Sequence, residues 1–242
     1  MEHTTRIFAK IIREICEEEN IYMESFLGDK VFKLRKDRMY HYIFDYQFGL
    51  NVSSVHSICC DKGAMKKIMR SLDIPYVENC HEIETIYRTI ILDGEIKLIY
   101  STLRPCMIGD GINPLGSLIL KYFSQNGNDI LCADIPNVNF MQILEKGEPF
   151  YFDWKHGFEQ REKVTVIEDI KIKDEIQGIA QMIAQRMKIA FASIDIVDCG
   201  GTYNVFDINS SVMMEHFSQQ DKNSYNMAKE IYRQAVLKML IS

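Results

Sequence analysis

The sequence predicts an α+β fold built on a mainly antiparallel sheet, and three observations carry that expectation. Two segments alternate apolar residues around a glycine turn: "TIYRTIILDGEIKLIYSTL", turning at Asp93–Gly94, and "FASIDIVDCGGTYNVFDIN", turning at Gly200–Gly201. Stretches with helical periodicity lie before, between and after them. Hairpins alternating with helices suit one layer of sheet covered by helices, with neighbouring strands running antiparallel.

Taken in order, residues 4–19 place Ile7, Ile11, Ile12 and Ile15 at helical spacing with charges between them. "IYMESFLGDKVFKLRKDRMYHYIFDY" is rich in aromatic and β-branched residues and reads as two or three strands with a turn at Gly28–Asp29. "SSVHSICCDKGAMKKIMRSLDIP" opens on a serine start signal and stops at Pro75, so it forms one or two helices. The Asp93–Gly94 hairpin follows, then a glycine loop, "IGDGINP", leading into a helix. Residues 173–188 form an amphipathic helix, the Gly200–Gly201 hairpin comes next, and a helix over about 222–240 closes the order.

Composition narrows the function classes. The 242 residues carry 13 Phe, 12 Tyr and 13 Met, ample for a packed core. A formal charge of −6 disfavours nonspecific binding to nucleic acid or to an acidic membrane surface. No apolar run approaches the ~20 residues of a membrane-spanning helix. "MEHTTRIFAK" lacks the apolar stretch of a signal peptide. The seven cysteines, including adjacent Cys59 and Cys60, follow neither a metal spacing nor a disulfide framework. Buried free thiols in a reducing cytoplasm are the expectation.

The second hairpin carries the chemistry. Residues two apart in a strand share a face, so Asp207 and Asn209 lie together, and folding at Gly200–Gly201 brings Asp195 roughly across from Asp207. Two carboxylates and an amide oxygen suit Mg²⁺, a hard ion that shares its shell with substrate phosphates. Acids at solvated strand ends would explain the same residues without a metal.

"SIDIVDCGGTYNVFDINSS" resembles the terminal hairpin of the ATP-grasp superfamily, in the branch of ribosomal-protein glutamate ligase, cyanophycin synthetase and the C-terminal part of bifunctional glutathione synthetase. The resemblance implies that Asp195, Asp207 and Asn209 hold Mg²⁺ against the phosphates of ATP, although Asp207 stands where the family usually has Glu. "CDKGAMKKIMRSLDIPYVE" is similar to a family helix whose lysine after Asp, here Lys62, contacts those phosphates. "ETIYRTIILDGEIKLIYSTLRPCMIGDG" is similar to a strand pair that would set Arg88 near the transferred phosphate, with Arg104 as a second candidate. Glu78 corresponds to the hinge acid that binds adenine or ribose. Residues 1–57 would then form a small N-terminal α/β region and 58–242 an ATP-grasp-like core.

Each residue also has a plainer reading. Lys62 suits a solvated helix lysine, and Arg88 suits a structural ion pair. "GDG" at 109–111 is a turn, since no Lys-Ser/Thr follows it. Trp154, Lys155 and His156 fall where the family has a loop near its active site, and His156 is read as a surface histidine.

One family feature is missing. Several dozen residues normally separate the helix motif from the hinge and build a lid with a second phosphate-binding lysine and a glycine-rich flap. "IPYVENCHEIETIYR" passes almost directly to the hairpin, so the expected core has its lid reduced or absent. The implied activity is ATP-dependent carboxylate–amine ligation through an acylphosphate, releasing ADP, with amino-acid or peptide substrates. The alternatives are an inactive relative acting as a binding or regulatory protein, and a sequence from which a native lid is missing. A homodimer is left open.

Overall fold

A computed structural model describes residues 6–77, 85–103, 106–126, 138–151 and 164–241. Helix α1 (Ile7–Glu18) buries the stripe of Phe8, Ile11, Ile12 and Ile15. It gives way to left-handed Asn20, and a three-stranded meander follows: β1 (Tyr22–Phe26), β2 (Val31–Lys36) and β3 (Met39–Phe44). Alternation sends Phe32, Leu34 and Ile43 into the same core as the α1 stripe.

The segment after the meander resolves as two helices, α2 (Ser53–Cys60) and α3 (Lys62–Ser71). Asp61 breaks them by leaving helical geometry, and its side chain caps α3 by accepting from the Ala64 amide at 2.9 Å. Strands β4 (Thr85–Leu92) and β5 (Glu95–Leu103) follow as the expected hairpin. Asp93 and Gly94 both take positive φ, 55° and 79°, as a two-residue turn matched to strand twist requires.

The helix expected after the glycine loop comes next, in a satellite whose two short strands the sequence did not foresee. Strand β6 (Cys106–Ile108), helix α4 (Leu115–Asn126) and strand β7 (Pro149–Tyr151) enclose a small cluster of Met107, Leu115, Ile119 and Leu144. Its strands are three residues each, too short to show alternation. Strand β8 (Thr165–Val166) leads to α5 (Ile170–Met187), which begins earlier than its apolar pattern suggests because Asp169 caps it, accepting from the Ile172 amide at 3.0 Å. Strands β9 (Phe191–Asp198) and β10 (Tyr203–Asn209), the short α6 (Glu215–Ser218) and α7 (Lys222–Ile241) complete the order.

The main sheet runs β10-β9-β4-β5-β8 with every neighbouring pair antiparallel. One face packs Ile91, Ile194, Ile196 and Ile208 against α2, α3 and α5 through Val55, Met65, Ile176 and Ile183. The other packs Ile90, Leu92, Leu98 and Phe191 against α1, the meander and α7. Residues on both sides of position 57 therefore share one core. Beyond α3 the chain runs along the outer edge of β10, where the Val205 amide donates to Pro75 O and the Val77 amide to Val205 O, both at 2.9 Å. No helix among the described residues is long and apolar enough to cross a membrane.

Tyr232 ties α7 to the turn before α6. Its side chain is fully buried; its hydroxyl donates to Val212 O at 2.9 Å and accepts from the Met214 amide at 2.9 Å. Burial raises this phenol well above its ordinary pKa. Tyr232→Phe leaves a buried N–H and C=O without their partner, so we expect a loss of about 1–3 kcal/mol. A lower urea midpoint with an unchanged denaturant slope is the readout.

Candidate functional site

The site begins with a matter of parity. Counting back from Gly200–Gly201, a regular ladder pairs Tyr203 with Asp198 and Val205 with Ile196, and the next step would set Phe206 opposite Asp195. Asp207 would then point into the apolar face packed against α5. Instead the ladder slips by one residue between Val205 and Asp207, and Asp207 becomes the direct partner of Asp195. The bulge keeps both carboxylates on one face, and Asn209, two residues on, shares it.

The same row continues through the sheet. Arg88 on β4 is the register partner of Asp195, and Tyr100 on β5 is the partner of Arg88. Asp207, Asp195, Arg88 and Tyr100 thus stand side by side on four adjacent strands. Toward the hairpin end, Ile86 and Val197 form a small apolar cluster. At the other end Ile90, Leu98 and Phe191 enter the main core. A charged row sits between two apolar blocks.

Burial dictates how these charges are satisfied. Asp195 is 4% exposed, and Arg88 meets it with a two-pronged contact, Nε to Oδ1 at 2.7 Å and Nη2 to Oδ2 at 2.8 Å. Lys62, at the first turn of α3, forms an ion pair with Asp207 Oδ1 from the strand edge. Asp207 also accepts from the Ile208 amide at 2.9 Å and from Asn209 Nδ2 at 3.3 Å. Five of the seven residues singled out in the sequence therefore converge: Lys62, Arg88, Asp195, Asp207 and Asn209. The other two, Glu78 and Arg104, lie outside the described residues, as do Trp154, Lys155 and His156.

The arrangement also matches the plainer reading of Arg88 as half of a structural ion pair. Among the described residues, no three His, Cys, Asp or Glu side chains are grouped to hold a metal. The donors at hand are two carboxylates and an amide oxygen. That set fits a hard ion such as Mg²⁺, which uses one or two carboxylates and completes its shell with water and phosphate. It does not fit a soft or borderline metal. The Asp110 loop, by contrast, is self-contained. The Asn113 amide donates to Asp110 Oδ1 at 2.8 Å, its side chain to Oδ2 at 2.6 Å and the Ile112 amide to Oδ1 at 2.9 Å. These bonds, that from the Asn113 amide foremost, hold its carboxyl down to about 2. It is a turn, as expected.

Residues 160–235, which include β9 and β10, match the RimK-like ATP-grasp domain. The matched segment is 76 of the 242 residues, and it is that segment that is similar to an ATP-grasp domain. The bifunctional glutathione synthetase of Pasteurella multocida superposes with a TM-score of 0.60 at 11% identity, over 96% of this chain and 44% of that one. At such identity the likeness shows the fold alone, and this chain spans under half the length of that enzyme. A RiPP-associated ATP-grasp ligase of Chryseobacterium gregarium, solved with ADP and a leader and core peptide, aligns at 8% identity and a TM-score of 0.46, over 100% of this chain and 94% of that one. The D-alanine–D-alanine ligase of Bacillus anthracis, solved with ATP, aligns at 13% identity and a TM-score of 0.35, covering 97% and 65%. No curated protein matches the sequence significantly.

Stability should separate the two ion pairs. Asp195→Ala removes the carboxylate that meets Arg88 in a largely buried position, and breaking such a pair costs about 3–5 kcal/mol. Lys62 is 59% exposed on its side chain, so Lys62→Gln should change stability by about 1 kcal/mol or less. Chemical denaturation of both variants measures the contrast.

Proposed function

We propose that this chain binds ATP with Mg²⁺ at the row described above and derives its chemistry from ATP-dependent carboxylate–amine ligation. The observation that carries the reading is the convergence of Arg88, Asp195 and Asp207 in one row across three strands, with Lys62 and Asn209 beside it. Asp195, Asp207 and Asn209 would hold Mg²⁺, which neutralises charge on the phosphates when bound. Lys62 and Arg88 would then exchange their carboxylate partners for phosphate oxygens, keeping each cation paired as the metal takes the acids. An amino acid or peptide would supply the carboxylate and the amine. Glu78 at the adenine or ribose and Arg104 near the transferred phosphate belong to the same proposal.

Only residues 78–84 separate Val77 from the start of β4, where the family resemblance implies a lid. Without a lid, one phosphate-binding lysine and half the adenine pocket are lost, and water reaches any activated carboxylate. That favours weak nucleotide binding and slow turnover. A non-catalytic relative that acts through protein contacts would share the weak binding but form no product.

Calorimetric titration of the full chain with ATP should give a dissociation constant weaker than about 0.1 mM, and only with Mg²⁺ present. Asp207→Ala should remove the Mg²⁺-dependent part. Micromolar binding would mean that another segment closes over the nucleotide. ADP release that requires both an amino-acid carboxylate and an amine would support ligation; binding without ADP release would favour the non-catalytic reading.

A further inference from the structure

Adjacent cysteines Cys59 and Cys60 end α2 in opposite environments. Cys59 is buried against the sheet, and burial first, then the neighbouring Cys60 and Asp207 charges, push its thiol up to about 11. Cys60 is exposed, and its Sγ lies 3.6 Å from Nε2 of His56, one helical turn earlier. His56 is held from its other side: Nδ1 lies 2.6 Å from Oγ of Ser210. Ser210 is 7% exposed and directly follows β10, so its position is set by the sheet and not by a mobile side chain. By strand alternation it belongs to the face of β10 opposite the carboxylate row.

We propose that Cys60 is a modification site, a nucleophilic thiol that exchanges with small disulfides, with His56 as its base and Ser210 as the group that orients the imidazole. The arrangement places nucleophile, base and orienting group in line, as activated nucleophiles require. With Nδ1–H donated to Ser210 Oγ, the Nε2 lone pair faces the thiol and accepts its proton. The Cys60 thiolate then attacks one sulfur of the disulfide, the S–S bond breaks, and the departing thiolate takes a proton from the imidazolium or from water. The product is a mixed disulfide at Cys60. It lies two residues before Lys62 in the chain, yet the exchange depends on no part of the nucleotide reading. Cys59, one residue away, lacks access and stays a thiol, so the pair carries its own control.

The test is incubation of the native chain with oxidised glutathione at neutral pH, followed by peptide mapping by mass spectrometry. Cys60 should acquire glutathione at least about tenfold faster than Cys106, which is also exposed, while Cys59 stays unmodified until the chain is denatured. His56→Gln should slow the Cys60 reaction by about tenfold or more while leaving Cys106 unchanged. Equal rates at Cys60 and Cys106 in the unmutated chain would overturn the proposal without relying on any variant. So would a His56→Gln chain that folds and reacts as fast as the parent.

Discussion

Arg88 and Asp195 form the ion pair on which the rest of the site depends. They occupy the two central strands of the hairpin pair, β4 and β9, as direct neighbours in the ladder. Both would carry a large desolvation cost alone, because apolar residues lie on either side of them on the same face. Their two parallel hydrogen bonds offset that cost only in one relative position, which locks the lateral alignment of the strands. A slip of one residue would send Asp195 and Arg88 to opposite faces.

The edge strand follows from that alignment. Once Asp195 is committed to its face, β10 must present Asp207 there or bury it against α5. The bulge after Val205 resolves the conflict at the cost of one irregular step, in the strand best able to accept it, since β10 is the sheet's edge. Lys62 then closes the row from outside, and the segment Pro75–Val77 hydrogen-bonds along the open edge of Val205. The edge is thereby covered, which limits pairing with other strands.

The same strand presents polar groups on both of its faces. Asp207 and Asn209 join the carboxylate row, while Ser210 and the buried thiol of Cys59 belong to the α2 side. Helix α2 ends where α3 begins, at Asp61, so the His56–Cys60 turn and Lys62 are carried by one short piece of backbone. The break between the helices is therefore what aims Lys62 at the strand edge: a continuous helix through Asp61 would have rotated Lys62 by about 200° relative to Cys60 and continued along the α2 axis.

What the sequence determined by itself were the elements whose signals are local. The hairpins at Asp93–Gly94 and Gly200–Gly201, the stripe of α1 and the pairing of acid and amide two residues apart on β10 rest on turn chemistry and periodicity, and these are read from neighbours in the chain. So is the family likeness of the segments around Lys62, Arg88 and Asp195. Tertiary structure alone decided the bulge at Phe206, the partnership of Arg88 with Asp195 across 107 positions, the short strands β6 and β7 beside α4, and the contact of His56 with Ser210 across 154. Each of these depends on which strands become neighbours and on which face a charge can be satisfied. Those are properties of packing between distant segments, and no local pattern records them.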